Sequence, residues 1–534
     1  MRSANIQLAL LRALALTCLG ASAGCSSLPP GSGQPKLASN ALDPSIETNL
    51  GETLGALGKV HGGDSGFRML SAGIEGLTAR IEMIDAAQRT LDIQSYIFRA
   101  DKSGNLVAQA LLRAADRGVR VRILIDDGET VRGDEKILSM AAKPGIQVQI
   151  FNPLRYRGHN RAIRGAEFLF EKARVDYRMH NKLMIADNAV AIIGGRNIGD
   201  QYFQIDPESQ FGDDDVVVTG PIVQRLSGVA DEFWNGPVAV PAQAVDKKDT
   251  SARALSKYLA ELAKHQARPD AEPGAPKDVP KRPFSDIVSG RTPLVWSQVK
   301  LVYDSPDKKD VDKGDAPGRL IYEAVAEQAN AVNSELLMVT PYFVPSPSEL
   351  AILKGERERN ARVRILTNAL EAAPALSAHS GYMHYRVGLL QEGVELYEIR
   401  ALLGSARGSG QTKTISRHGN YGLHAKLFVF DRKTLFVGSM NFDQRSKHLN
   451  TEIGLLIASP ELSRQTALRF EALTQLDNAY VVSLGDKPAG KGPGLVWTTR
   501  EGDTVVHYES EPARSPWQRV KVKLLSILPL DREL

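Results

Sequence analysis

Two short runs in this chain hold residues that can do chemistry at a fixed spacing: His180-Asn-Lys182 followed by Asp187, and His424-Ala-Lys426 followed by Asp431. Each run begins an apolar stretch. A strand there turns residues two apart to one face, so each histidine shares a face with its lysine. Each run then turns at its aspartate and returns through Ala189 to Ile193 or Lys433 to Val437. Both end in a small-residue turn that carries an asparagine, Gly194-Gly195-Arg196-Asn197 and Gly438-Ser439-Met440-Asn441. Small residues let backbone and the Asn197 and Asn441 side chains approach a ligand closely. A neutral histidine can attack phosphorus and divide one hard displacement into two through a phosphohistidine. A second histidine, protonated, can give its proton to the leaving alkoxide and later activate an incoming alcohol or water. Lysines and asparagine amides supply donors for the equatorial oxygens where charge develops. That is phosphodiester chemistry, and one run offers only one histidine, so the two runs must face each other. Asp187 and Asp431 read more readily as turn residues than as reacting groups.

The elements around these runs are themselves repeated. Thr90 to Phe98, containing Tyr96, has a counterpart in Glu335 to Phe343, containing Tyr342. Arg120-Val-Arg-Ile-Leu124 recurs as Arg362-Val-Arg-Ile-Leu366, and the offset between copies is nearly that of the two histidines. Near-constant offsets across separated blocks indicate duplication of a whole domain. Within each half, helical stretches such as Leu106 to Arg117 alternate with short β-branched runs such as Val119 to Ile125 and Gln147 to Phe151. Such alternation predicts an α/β sandwich with a largely parallel sheet in each half.

At 534 residues, 43% hydrophobic, the chain is long enough for two cored domains. A net charge of +4 suits an anionic surface without demanding one. Its two cysteines, Cys18 and Cys25, both lie near the start, so nothing beyond Cys25 can be a disulfide, a Cys-ligated zinc site or a catalytic thiolate. Arg2 and the apolar run Leu8 to Gly20 read as an export signal over 1–25. The run Ala21-Ser22-Ala23-Gly24-Cys25 resembles a lipoprotein signal in which Cys25 is lipidated. Ala21-Ser22-Ala23 also reads as an ordinary cleavage site, which would leave a cysteine-free product. Residues 26–51 read as a flexible tether, 52–245 as the first domain, 246–290 as a helix and linker, and 291–480 as the second domain. Residues 481–534 form a C-terminal extension. There Trp517, Val520, Leu524, Leu525 and Leu528 recur at helical spacing among Arg519, Lys521 and Lys523, which suits a membrane interface or packing on the second domain. Arg155, Arg157, Arg161 and Arg164 precede the first motif, and Arg407, Lys413 and Arg417 the second. They suit anionic headgroups, and equally an ordinary solvated loop.

Taken together, the paired motifs, Arg178 to Lys182, Gly194 to Asp200, Ile365 to Asn368, Tyr397-Glu398, Asn441 to Asp443, Arg445-Ser446 and Asn450 to Glu452 resemble the phospholipase D superfamily, in particular bacterial cardiolipin synthases of the C type. The resemblance implies two duplicated phospholipase D-like α/β sandwich domains, with mixed, largely parallel sheets, facing each other across one active site. It implies a transphosphatidylase, free of metal and cofactor, that moves a phosphatidyl group to phosphatidylglycerol, with phosphatidylethanolamine as a possible donor. It also implies a membrane surface as partner, with the protein in the bacterial envelope, lipid-anchored and facing the periplasm. By the same resemblance His180 is the nucleophile, His424 the acid and base, Ser439 a phosphate donor (Gly195 offering backbone only), and Asp213 and Glu452 the carboxylates that orient the histidines. Asp215 is a rival to Asp213. The other readings are a hydrolase of phospholipid or nucleic acid and a non-catalytic lipid-binding lipoprotein. Aromatics at 6% give little platform for single-stranded nucleic acid.

Overall fold

The computed structural model describes residues 46–128, 134–156, 160–264, 280–313, 320–403, 421–485 and 494–528, with short pieces between 28 and 44. The first half supplies β1 (Ser65–Leu70), β2 (Thr90–Ser95), β3 (Arg120–Asp126), β4 (Ile146–Phe151), β5 (Arg178–Met179), β6 (Leu183–Ala186), β7 (Val190–Gly194), β8 (Gln210–Gly212), β9 (Asp215–Thr219), β10 (Ala239–Pro241) and β11 (Val295–Ser297). The second supplies β12 (Val299–Tyr303), β13 (Glu335–Val339), β14 (Arg362–Asn368), β15 (Glu395–Ile399), β16 (Tyr421–Leu423), β17 (Leu427–Phe430), β18 (Thr434–Gly438), β19 (Asn450–Thr451), β20 (Ile453–Ile457), β21 (Ala479–Gly485), β22 (Gly494–Glu501) and β23 (Thr504–Tyr508).

Two large sheets form, in the orders β10-β4-β3-β2-β6-β7-β9-β1-β11 and β12-β20-β18-β17-β13-β14-β15-β21-β22-β23. They repeat each other from β2, β3, β4, β6, β7 and β9 to β13, β14, β15, β17, β18 and β20, so the duplicated, mixed α/β architecture is as expected. Parallel pairing is narrower than the alternation suggested. It joins β2, β3 and β4, and β13, β14 and β15, and the other neighbours in both sheets are antiparallel. The physical reason lies in the connections. A helix such as α1 (Lys102–Asp116) carries the chain back over the sheet between β2 and β3, whereas the motif strand β6 returns through a tight turn and must pair antiparallel.

That turn is built by its own residues. Asp187 and Asn188 have φ of 53° and 51°, and Asp431 and Arg432 have 51° and 52°, the positive pair that a tight hairpin turn uses. The helix α1 is equally local in origin. Asp101 accepts from the Gly104 amide at 3.0 Å as its cap, and Val107, Ala108, Leu111, Ala114 and Ala115 form its buried stripe.

Between the sheets lies a core shared by the two halves. Phe67, Leu183, Val216 and Phe233 of the first half join Leu337, Leu427, Val437 and Phe470 of the second in one cluster. Two helices feed it, α2 (Ile222–Asn235) with Ile222, Leu226, Val229 and Phe233, and α3 (Pro460–Leu473) with Leu462, Ala467 and Phe470. This common core fixes the halves relative to each other, which a site made of one histidine from each requires.

Segments flanking the first sheet are tied to it. In the described part of 26–51 the chain is held by hydrogen bonds to the first half. Lys36 Nζ donates to the Trp234 and Ala239 carbonyls at 3.2 and 2.9 Å, the Ala41 amide to Asp231 at 2.8 Å, and Asn188 to the Leu42 carbonyl at 2.9 Å. Leu50 and Leu54 are buried in the first core. A Ser, Pro and Asn-rich composition marks the absence of an autonomous core, and does not prevent a strap from using its backbone. Val295–Ser297 pairs with β1, so the second sheet begins at Val299 rather than near 291. Among the described residues, no helix is long and apolar enough to cross a membrane.

Candidate functional site

The site is assembled by four very short strands that pair across the halves. β5, which leads into His180, runs parallel to β19, which leads into Glu452. β16, which leads into His424, runs parallel to β8, which leads toward Asp213. The backbone ties continue into the motifs. The His180 amide donates to the Thr451 carbonyl at 2.9 Å and the His424 amide to the Gly212 carbonyl at 2.8 Å. Each histidine is therefore delivered to a carboxylate of the opposite half. His180 Nδ1 lies 3.0 and 2.9 Å from the two Glu452 oxygens, and His424 Nδ1 lies 2.6 Å from Asp213 Oδ2. Neutral imidazole in this setting holds its proton on Nδ1 toward an ionised carboxylate and leaves the Nε2 lone pair free. Asp215 is not the partner. It pairs instead with Arg80 at 2.9 Å and Arg196 at 3.1 Å.

Lys182 and Lys426 are buried beside the histidines. Lys182 Nζ donates to the His180 carbonyl at 2.7 Å. Lys426 Nζ donates to the His424 carbonyl at 2.5 Å and stands 3.0 Å from its Nδ1. Among the described residues neither amine has a carboxylate within ion-pair distance. Burial, and then the field of the other lysine along with it, holds Lys182 well below the ordinary lysine range. Burial lowers Lys426 to about 8. The same two causes, burial and the neighbouring lysine, push His180 well below the imidazole range and His424 down to about 3. Both rings are thus neutral near pH 7, beside two buried amines whose charged form an anion between them would favour.

The two carboxylates diverge. Burial works to raise Asp213, but His424, Lys426 and Arg196 more than offset it and hold the carboxyl well below its usual value. Burial dominates at Glu452 and lifts it to about 7 against Lys182, Ser439 and Ser446. Ser439 Oγ donates to Glu452 at 2.5 Å and accepts from the Ile453 amide, and Ser446 Oγ donates to the other Glu452 oxygen at 2.8 Å. Without a ligand, the Ser439 hydroxyl is directed to Glu452. At the matching position a Cβ on Gly195 would sit 2.1 Å from Asp213 Oδ1, so only glycine fits there.

Asn197 accepts from the Ile97 amide at 3.2 Å and leaves its NH2 without an acceptor among the described residues, while Asn441 keeps its side-chain oxygen buried without a partner. Both amides remain available to a ligand. Asp187 and Asp431, which share each motif with its histidine and lysine, stand apart from them. They sit at the far ends of β6 and β17, about 20 Å along the strand from their histidines at ~3.3 Å per residue. Asp187 accepts the amides of Gln88, Arg89 and Thr90 at 2.9, 2.8 and 2.9 Å, and Asp431 those of Asn333, Ser334 and Glu335. Their work is to fasten the hairpin turn to the start of the neighbouring strand.

Several residues of the site were not found in the sequence. Tyr96 stands edge-on to His180 with ring centres 5.0 Å apart, and its place in the repeated block was a usable signal. Tyr202 and Phe211 wall His424 at 5.2 and 5.4 Å. Asp304, paired with the fully buried Lys308 at 2.8 Å, accepts the Glu452 amide at 3.0 Å, and nothing in its charged loop announced that. Among the basic flanking residues, Arg155 pairs with Glu171 at 3.0 Å. Arg157, Arg407, Lys413, Arg417 and Cys25, and the side chains of Arg161 and Arg164, lie outside the described residues.

Comparison with known proteins matches the chain to a family. Residues 80–234 and 325–474 each match the family described as "Cardiolipin synthase, PLD-like domain". Cardiolipin synthase C of Escherichia coli K12 is 34% identical over 478 residues, covering 88% of this chain and 96% of that protein. Probable cardiolipin synthase YwiE of Bacillus subtilis 168 is 22% identical over 76% of this chain and 65% of its own length. Among solved structures, phosphatidylserine synthase of Haemophilus influenzae Rd KW20 aligns with a TM-score of 0.49 at 14% identity, over 80% of this chain and 92% of that one.

Proposed function

The chain belongs to the cardiolipin synthase family of phospholipase D-like proteins, and from that premise we propose that it transfers a phosphatidyl group to phosphatidylglycerol through a phosphohistidine on His180. It is a phospholipid phosphatidyltransferase, and the donor in this reading is phosphatidylethanolamine. The observation that carries the reading is the pair of buried lysines without carboxylate partners among the described residues, each beside a neutral histidine whose Nδ1 faces a carboxylate of the opposite half.

In the first step the Nε2 lone pair of His180 attacks the donor phosphorus and the P–O bond to ethanolamine breaks. His424 gives a proton to the departing alkoxide. A phosphodiester anion between Lys182 and Lys426 offsets the positive field that depresses His424, so this histidine gains its proton when substrate is bound. In the second step neutral His424 takes the proton of a phosphatidylglycerol hydroxyl. The oxygen attacks the phosphohistidine, the P–N bond breaks, and cardiolipin leaves. Lys182, Lys426 and the Asn197 and Asn441 amides bind the equatorial oxygens where charge gathers, and Glu452 and Asp213 hold each imidazole in the reactive tautomer.

Purified protein supplied with phosphatidylglycerol, with and without phosphatidylethanolamine, tests this by lipid mass spectrometry. The expected product is cardiolipin, with ethanolamine released when the second lipid is present, and with EDTA leaving the rate unchanged. Phosphatidic acid without cardiolipin would instead make the enzyme a hydrolase.

A further inference from the structure

The C-terminal helix α5 follows α4 (Leu376–Tyr382) in the second half and spans Pro516–Ser526, started by Ser515, whose hydroxyl accepts from the Gln518 amide at 3.2 Å. One side of it is settled. Val522 is fully buried, and the helix packs on α4. The opposite side is not covered. Trp517, Val520 and Leu524 are 71, 43 and 62% exposed, and Ile527 and Leu528, just past the helix end, are 78 and 50% exposed. At about 100° per residue these five fall within an arc of roughly 100°, centred opposite Val522. On the same wheel Lys521 and Lys523, both exposed, fall at the two edges of that arc. From Arg514 to Leu528 the chain carries Arg514, Arg519, Lys521 and Lys523 and no acidic residue.

We propose that this apolar stripe with its basic edges is a docking surface for an anionic lipid bilayer, and that it holds the active-site cleft at the membrane. A helix lying in the interface buries an apolar stripe of this width among the acyl chains while lysines at its margins reach the phosphates. A free apolar face of this size without a charged rim would suit a second protein equally. The two lysines at its margins, in a stretch from Arg514 to Leu528 that holds no acidic residue, are what select an anionic bilayer.

The helix is also braced against the site. Gln518 Nε2 donates to the Leu370 carbonyl at 2.8 Å and Arg514 Nε to the Glu371 carbonyl at 2.5 Å. Those residues directly follow Asn368 at the end of β14. Asn368 exchanges hydrogen bonds of 2.9 and 2.8 Å with Leu423, the residue before His424. The docking face and one reacting histidine are thus joined through a few residues of rigid strand end. A helix seated in the bilayer fixes the cleft at a constant height above it.

The inference concerns binding and stands apart from the transferase reading, so the test separates the two. Full-length protein carrying Cys25→Ser, which removes any acyl anchor, is mixed with vesicles of phosphatidylethanolamine, with and without phosphatidylglycerol, and floated. We expect binding that needs phosphatidylglycerol and weakens with salt. We expect Trp517→Glu/Leu524→Glu to reduce apparent affinity at least about tenfold, and Lys521→Glu/Lys523→Glu to lose the preference for phosphatidylglycerol. Both double variants should keep the activity of the parent on lipid dispersed in detergent, whereas His424→Ala should bind vesicles as the parent does and turn over nothing. Vesicle binding by both double variants within twofold of the parent overturns the proposal. So does a parent dimer that Trp517→Glu/Leu524→Glu converts to a monomer without changing flotation, because the face would then belong to a second copy. Failure of the transferase reading would appear instead as vesicle binding without cardiolipin.

Discussion

Behind His424 stands Asp213, pressed against Gly195 and held ionised by Lys426 and Arg196. Behind His180 stands Glu452, longer by one methylene, held by Ser439 and Ser446 on its oxygens and by Asp304 at its backbone. The main chain treats the two alike, since the same cross-paired strands deliver each histidine to the other half. The side chains do not. Where the acid is short, the turn residue beneath it must be glycine. Where it is long, a serine fits and donates to it. The outcome is one carboxyl far below its ordinary value and one lifted to about 7. A duplicated frame can thus keep its geometry and still divide labour, because tuning lies in the groups that touch each carboxylate. A permanent anion suits a histidine that repeatedly gains and loses a proton. The near-neutral acid beside His180 makes attack by that ring dependent on pH.

The harshest way to break the comparison is to remove the rings. His180→Ala and His424→Ala are each expected to lower turnover by about 10^4-fold or more, since a nucleophile and its proton carrier work as a unit. Acid quenching with a donor labelled in the phosphatidyl group then assigns the roles. Label should appear on the His180 peptide of the native enzyme, and label on the His424 peptide would reverse them.

The carboxylates come next. Asp213→Asn should reduce kcat/KM about 10^3-fold, because its amide can hold the wrong tautomer of a ring that must shuttle protons. Glu452→Gln should cost only about 10- to 100-fold at pH 7, where Glu452 is already half protonated. The sign of the pH effect follows from the same contact. Below about 7 a protonated Glu452 donates to His180 Nδ1 and moves the ring proton to Nε2, which then cannot attack. Above it, the ionised carboxylate accepts from Nδ1 and frees Nε2. The native kcat/KM should therefore rise with pH through about 7, and Glu452→Gln should flatten that limb. A limb of the same shape in the variant would locate the titrating group elsewhere.

Smaller effects test the turn residues. Gly195→Ala places a Cβ 2.1 Å from Asp213 Oδ1, so the carboxylate must move off His424, and we expect about a 100-fold loss in kcat with KM little changed. Ser439→Ala removes a donor that stabilises the ionised Glu452. Turnover at pH 7 should fall only about fivefold, with the rising limb displaced to higher pH. Equal losses for the two variants would mean that the halves are tuned alike.

How much of this the chain disclosed in advance depends on whether a feature is local or shared. The motif strands, the duplication and both histidines and lysines were legible because each rests on a short run of residues that occurs twice, whereas the two carboxylates were reached only through the family resemblance. The crossing of the carboxylates was not legible. Position 452 lies closer in sequence to His424 than to His180, and only pairing of two-residue strands across the halves assigns it. Which neighbours pair antiparallel was hard to read for a related reason. A β-branched run looks the same whether its neighbour arrives by helix or by hairpin, and the hairpin was already marked by Asp187-Asn188 and Asp431-Arg432. Asp304 and Lys308 sit in a stretch rich in charged residues, yet both are fully buried. Their burial follows from each satisfying the other, which no pattern along the chain displays.

The mildest test concerns the two aspartates that share a motif with the histidines. Asp187 is buried and accepts three backbone amides at the start of β2. Asp431 is partly exposed and does the same at the start of β13, with the Ser334 hydroxyl added. Each also occupies a left-handed backbone position that alanine tolerates poorly. Asp187→Ala should therefore destabilise the fold by about 3 kcal/mol, leaving buried amides unpaired, and Asp431→Ala by only about 1 kcal/mol because water replaces the lost acceptor. Denaturant unfolding measures both, and activity at low temperature should remain within about twofold of native, as it does for changes remote from the reacting atoms. A large fall in kcat at unchanged stability would return these aspartates to the chemistry. The expected result instead confines the reacting part of each motif to its first three residues and gives the aspartate the task of holding the strand that carries them.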